Sequence, residues 1–125
     1  MESDQITHTT NEKLIKEKLT HLFIGNMFEC FQDGNNLYFL MEFIQGGELF
    51  TYLGNLERFP NHLARFYAAE VFIALEYLHF NHILYRDLKP ENIMISNSGH
   101  IKLIDMGFAI MMNSSNKVNT KLLTV

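Results

Sequence analysis

Residues 85 to 92 read Tyr-Arg-Asp-Leu-Lys-Pro-Glu-Asn, and five of these side chains are charged or amide: Arg86, Asp87, Lys89, Glu91 and Asn92. Apolar residues bracket the loop, Ile83-Leu84 before it and Ile93-Met94-Ile95 after it. A loop held in such a hydrophobic frame turns its polar groups toward a common cavity. Thirteen positions after Asn92 comes Asp105, followed by Met106-Gly107. A carboxylate at a strand end beside a glycine suits Mg²⁺, a hard cation that takes oxygen ligands. The amide oxygen of Asn92 can complete a site for a metal-bound phosphate. Asp87 is then available to accept a proton, and Lys89 to neutralise charge on a transferring phosphoryl group. Metal clamp, cation and positioned base are the parts that phosphoryl transfer requires.

These residues need elements to hold them. Two aromatic-rich apolar runs, Phe23 to Phe31 and Leu37 to Ile44, flank Gln-Asp-Gly-Asn-Asn and predict an antiparallel hairpin. The unbroken apolar character of the second run predicts a strand buried on both faces. Gly46-Gly47 end it, and a short helix is expected from Glu48 to Leu53. Pro60 precedes the longest helical pattern, Asn61 to Phe80, with Leu63, Tyr67, Val71, Ala74, Leu75 and Leu78 at helical spacing. Phe66, Ile73, Tyr77 and Phe80 lie off that stripe, so the helix reads as a central core helix. Asn97-Ser98-Gly99-His100 is a turn, and Ile101 to Ile104 a short strand. Thr7 to about Leu19 reads as a polar helix with few apolar residues, Leu14, Ile15 and Leu19, lying on the fold rather than anchoring its core.

Composition bounds the rest. The chain has 125 residues, 47% hydrophobic, 13% aromatic and 19% charged, which is too apolar for intrinsic disorder. Ten Lys and Arg against fourteen Asp and Glu give −4, which argues against a nucleic-acid partner. One cysteine, Cys30, excludes an intrachain disulfide framework and reads as a buried apolar residue in a reducing compartment. No window has the length and apolarity of a membrane span, because Glu42, Glu70 and Glu76 split the richest runs. The polar, acidic Met1-Glu2-Ser3-Asp4 start is unlike a secretory signal, and a cytoplasmic or nuclear location is expected.

Arg86-Asp87-Leu88 with Asn92, followed by Asp105-x-Gly107, resembles the catalytic and magnesium loops of the protein kinases. Tyr85 before Arg86 resembles the AGC group, which includes the cAMP-dependent protein kinases. So do Asn36-Leu37-Tyr38, Met41-Glu42-Phe43, Gly46-Gly47-Glu48-Leu49-Phe50, and Ala64-Arg65-Phe66-Tyr67-Ala68-Ala69-Glu70. His8-Thr9-Thr10-Asn11-Glu12-Lys13 is similar to that group's C helix. The likeness runs without a gap from Ile6 to about Ala109. It implies an α+β chain, a partial bilobal kinase fold. Residues 1–41 would supply the C helix and the fourth and fifth N-lobe strands, and 42–48 the hinge. Residues 49–109 would form the first half of the helical C-lobe, and 110–125 would begin the activation segment. Lys89-Pro90-Glu91 points within the family to Ser/Thr specificity.

The resemblance also implies roles. Asp87 is the catalytic base, Lys89 contacts the γ-phosphate of ATP, and Asn92 and Asp105 hold Mg²⁺. Glu12 is either the partner of the ATP-binding lysine or an exposed helix carboxylate. Met41 is the gatekeeper, the backbone from Glu42 to Ile44 reads adenine, and Met94 floors the adenine pocket. Both methionines can equally fill core. Glu48 and Glu91 recognise a basic residue near the target Ser/Thr, or are solvated charges. His8 and Arg86 match positions that bind an activation-loop phosphate, with Thr120 and Thr124 as candidate acceptors. Protein substrates, and a kinase regulatory subunit, are the implied partners.

The sequence departs from the family at Met106, where a Phe is usual, and at Ile110, where a Lys is usual. It also departs at Lys16, which would join Met27, Tyr85 and Met106 in an apolar regulatory stack. The sequence contains neither a Gly-rich loop with its strand lysine nor an Ala-Pro-Glu. The chain is thus expected to be an incomplete kinase domain, inactive alone, with a large apolar patch on the long helix. A non-catalytic kinase-like interaction protein and a non-functional remnant are the alternatives.

Overall fold

The computed structural model describes residues 13, 15, 18–34 and 36–112. The expected hairpin forms from β1 (Met27–Gln32) and β2 (Leu37–Met41), antiparallel, with Gln32 opposite Leu37 and Met27 opposite Met41. Its turn is built by Asp33. The Oδ1 atom accepts the Asn36 N–H at 3.0 Å and Oδ2 accepts the Tyr38 hydroxyl at 2.8 Å, so an Asx-type side chain mimics backbone here. The expectation that the second strand is buried on both faces is wrong. Tyr38 and Leu40 are half exposed, as is Phe31, because no other described strand pairs with the hairpin.

Helix α1 (Leu49–Leu56) runs slightly longer than expected, and α2 spans Asn61–Phe80 as the spacing predicts. Alanines and leucines give α2 its propensity. Asn81 ends it, with its backbone N–H and its side-chain amide both donating to the Tyr77 carbonyl. The reading of α2 as a central core helix needs correction. It buries only Glu70, Ala74 and Leu78, while Phe72 and Phe80 are 68% and 83% exposed. The expected apolar patch is therefore present on it.

After α2 come β3 (Ile83–Leu84), a 3₁₀ turn (Pro90–Asn92), β4 (Ile93–Ile95), β5 (Ile101–Leu103) and β6 (Ile110–Met111). β4 pairs with β5, and β3 with β6, both antiparallel. Single bridges tie these ladders to the rest: Ile24 to Leu103 and Glu48 to Met94. The Gly25 N–H donates to the Leu103 carbonyl, and the Ile95 N–H to the Gly47 carbonyl, both at 2.8 Å.

One core collects side chains from nearly every segment. Ile24, Leu49, Leu78, Ile83, Tyr85, Ile101, Leu103 and Met106 are buried together. Ile15 and Leu19 are buried in it as well, so these apolar residues of the N-terminal polar segment do anchor the core. Cys30, expected inside, is only partly buried. No helix among the described residues is long and apolar enough to cross a membrane.

Candidate active site

The loop between β3 and β4 folds back on itself at Asp87. Arg86 before it has φ of 66°, a conformation uncommon for a residue with a Cβ. Its Nε donates to the Phe108 carbonyl at 2.7 Å, which ties the loop to the segment after Asp105. Asn92 is buried, and its amide nitrogen donates to Asp87 twice, to the carbonyl at 3.0 Å and to Oδ2 at 2.8 Å. Lys89 Nζ lies 2.9 Å from the same Oδ2. Both side-chain donors thus use one carboxylate oxygen, and Oδ1 of Asp87 accepts no hydrogen bond from the described residues. The hydrogen bond to Asp87 holds the Lys89 amine above the usual lysine range. Desolvation opposes it, and the charges of Asp87, Glu91 and Asp105 reinforce it.

The Ile104 N–H donates to the Asn92 carbonyl at 3.1 Å, so the two loops meet at the open end of the β4–β5 hairpin. Asp105 Oδ1 accepts the Gly107 N–H at 2.8 Å, which fixes the carboxylate. Its other oxygen and Oδ1 of Asn92 accept no hydrogen bond from the described residues. Two hard oxygens at neighbouring loop ends fit Mg²⁺, which binds through one or two carboxylates with phosphates and water rather than in an all-protein cage. No group of three or more His, Cys, Asp or Glu among the described residues could enclose a metal.

The segment 42–48 joins the hairpin to α1. The Glu42 N–H is occupied by the Asn26 carbonyl at 2.9 Å. The Ile44 N–H meets no acceptor among the described residues. Glu42 Oε2 accepts Lys102 Nζ at 2.8 Å and both the N–H and the side-chain amide of Asn26 at 3.2 Å. Burial alone would raise the Glu42 carboxyl, but these donors outweigh it and hold it below the ordinary value. Gly46 lies hard against β4: a Cβ there would sit 2.2 Å from the Ile95 carbonyl oxygen. A cleft of about 380 Å³ opens beside this segment, lined in part by Glu42, Phe43, Ile44, Asn97 and Lys102. None of Asp87, Lys89, Asn92 and Asp105 lines it. The convergence of donors at the loops, rather than the cleft, marks the candidate site.

The structure therefore brings Asp87, Lys89, Asn92 and Asp105 together. Met41 and Met94 are partly buried, and Glu48 and Glu91 are exposed. Tyr85 and Met106 are buried in the core while Met27 is partly buried. Ile110 pairs with Leu84. Glu12, His8, Lys16, Thr120 and Thr124 lie outside the described residues. Sequence reasoning missed Asn26 and Lys102, which hold Glu42, and the pair of Glu70 and His100. A lysine between Ile101 and Leu103 in a short apolar strand was the available sign, since a buried lysine requires a partner.

A family model for the protein kinase domain matches residues 1–125. The cAMP-dependent protein kinase catalytic subunit of Schizosaccharomyces pombe (strain 972 / ATCC 24843) is 50% identical over 112 residues, covering 90% of this chain and 22% of that protein. The cAMP-dependent protein kinase type 3 of Saccharomyces cerevisiae (strain ATCC 204508 / S288c) is 51% identical over 105 residues, covering 84% and 26%. The human cAMP-dependent protein kinase catalytic subunit PRKX is 50% identical over 105 residues, covering 84% and 29%. The chain thus spans less than a third of the length of each of these relatives. With the protein kinase domain model matching it from residue 1 to 125, the chain belongs to the protein kinase domain family.

Proposed function

We propose that this chain is a segment of a serine/threonine protein kinase of the AGC group. In this reading it moves the γ-phosphoryl group of Mg-ATP to Ser or Thr of proteins with basic residues nearby. The observation that carries the reading is the joining of Asp87, Lys89 and Asn92 in one hydrogen-bonded group next to Asp105. Oδ1 of Asp87 accepts the proton-bearing hydroxyl of the substrate, while Lys89 and Asn92 fix the carboxylate through Oδ2. Asn92 and Asp105 hold Mg²⁺, which neutralises phosphate charge when bound. The Glu42 carbonyl and the Ile44 N–H read adenine, between Met41 and Met94. Glu12 pairs with a lysine supplied from outside this sequence. Exposed Glu48 and Glu91 attract the basic side chain of the substrate.

On this reading residues 1–41 belong to the N-lobe, 42–48 to the hinge and 49–109 to the C-lobe, and 110–125 begin the activation segment. Relatives named as catalytic subunits support a regulatory subunit as partner, at a cytoplasmic or nuclear location. The sequence has no Gly-rich loop to cover the phosphates, so the 125-residue chain alone is proposed to lack turnover. The test joins the chain to flanking coding sequence that supplies that loop and the later helices. Transfer of labelled phosphate from Mg-ATP to a basic serine peptide is then measured. Asp87→Asn is expected to lower transfer at least a hundredfold with nucleotide binding intact. Undiminished transfer in that variant would overturn the proposal.

A further inference from the structure

Many turns are closed by the side chain of their first residue, usually Asp or Asn, which accepts the backbone N–H two positions on. Residues 21–24 build such a turn with a histidine in that place. The Ile24 N–H donates to the His21 carbonyl at 3.1 Å, and the Phe23 N–H donates to His21 Nδ1 at 3.1 Å. The Phe23 N–H has no other acceptor among the described residues. Unlike the amide of asparagine, an imidazole fills this role only while neutral, because both of its nitrogens donate once it is protonated. Turning the central peptide over, so that the Leu22 carbonyl faced the imidazolium, would place Phe23 at positive φ. That turn form suits glycine, and Phe23 is a bulky residue at negative φ. Protonation therefore opens this turn rather than converting it.

The groups around His21 decide where the change falls. The imidazole is partly buried, with its ring 4.6 Å from that of Tyr77 on α2, and the Tyr77 hydroxyl accepts the Thr20 N–H at 3.1 Å. From β5, Lys102 acts on the ring through its charge. His100, just before β5, lies 6.0 Å from the Phe23 ring. Lys18, three residues earlier in the chain, is exposed. Glu42 is taken up by Lys102 and Asn26, and Glu70 of α2 by His100 and Ile101. Burial first and Lys102 second hold the imidazole below its ordinary value. Cation–π attraction keeps an imidazolium over the Tyr77 ring, so the rearrangement falls on the Phe23 side. The peptide released there is the one that Leu22 begins, and Leu22 lines the cleft beside segment 42–48.

We propose that His21 is a proton-operated latch: neutral, it closes the turn 21–24, and protonated, it releases the Phe23 N–H and moves Leu22 at the wall of the cleft. The latch is independent of the proposed phosphoryl transfer. The experiment follows imidazole, amide and methyl signals of the full 125-residue chain by NMR from about pH 7.5 to about pH 5. Exchange of the Phe23 amide with water, relative to that of an unstructured peptide, is expected to rise about five- to tenfold as His21 titrates. The Phe23 amide and Leu22 methyl shifts are expected to share the His21 midpoint rather than that of His100, while the signals of α2 away from Tyr77 stay in place. His21→Asn keeps an acceptor that does not titrate, and should hold Phe23 exchange within about twofold across the range. His21→Phe keeps a ring on Tyr77 without the acceptor, and should exchange fast at both ends. A Phe23 amide that ignores the His21 titration overturns the latch, as does a pH response that survives in His21→Asn. Shifts that spread along the whole of α2 with the same midpoint mark a general loosening and overturn it as well.

Discussion

Replacing Lys102 with methionine removes the cation 2.8 Å from the Glu42 carboxylate and keeps most of the apolar stem. The size of the effect follows from burial. The Lys102 side chain is 10% exposed and that of Glu42 25%. Exposed ion pairs contribute at most about 1 kcal/mol, whereas removing one partner of a fully buried pair destabilises by about 3–5 kcal/mol. This pair lies between those limits. Asn26 also keeps two donors on the same oxygen, so the carboxylate is not orphaned. We expect a loss of about 2 kcal/mol, or about 1 M in the urea midpoint at pH 7. A cycle of Glu42→Gln, Lys102→Met and the double variant is expected to give a coupling of about 1–2 kcal/mol.

The pH dependence gives a second reading of the same pair. The folded-state pKa of Glu42 is held below its ordinary 4.5. Its stabilisation is therefore present above that value and is lost as pH falls through the folded value. The gap between the unsubstituted chain and Lys102→Met should close at acid pH. Urea unfolding followed by far-UV circular dichroism at pH 7 and in steps below 4.5 measures both effects. A difference under about 0.5 kcal/mol at pH 7, or two curves that stay parallel into acid, would refute the reasoning.

Further outcomes follow from other parts of the molecule. Gly46→Ala forces a methyl group into the Ile95 carbonyl, and thermal melting should register a loss of about 3 kcal/mol; an unchanged melt would mean that the segment 42–48 is not seated on β4. The His21 imidazole is held below its ordinary 6.5, by burial first and by Lys102 second. Its neutral form is thus favoured by folding, and the stability this confers is full above 6.5 and declines as pH falls below it. His21→Gln should flatten that part of the pH profile, and the imidazole shifts in an NMR titration should report the lowered midpoint directly. Phe72→Ser with Phe80→Ser should leave stability within about 0.5 kcal/mol per site while reducing dye binding and self-association. A larger loss of stability would show that these rings are packed in solution.

The loop residues were legible because their chemistry is local. Asp87, Lys89 and Asn92 lie within six positions, and hydrogen bonds across such short spans can be anticipated from order alone. Asp105 was legible through its spacing and the glycine after it. The boundaries of α2 were readable from its periodicity and from Pro60. Its burial was not, because periodicity states which face is apolar and not what stands opposite. The same reason accounts for Tyr38 and Leu40, apolar on a strand that no further described strand covers. Pairs such as Glu42 with Lys102 and Glu70 with His100 join residues 60 and 30 positions apart. Nothing in either local stretch names the partner, so these needed the fold.

The reach of those contacts bears on how the chain is made. The Arg86 guanidinium finds its carbonyl acceptor at Phe108, β3 pairs among the described strands with β6 alone, and the Leu103 N–H donates to Phe23. Synthesis delivers Ile15, Leu19 and Ile24 long before Ile101, Leu103 and Met106, which complete the same core. During elongation the nascent chain can form α2 and the β1–β2 hairpin from neighbouring residues. Closure of the core must wait for the final strands, since distant pairings contribute only after the intervening loop is ordered. In that interval the apolar faces stand open, and the emerging polypeptide presents to the chaperones around the ribosome a longer-lived substrate than a fold of purely local contacts would.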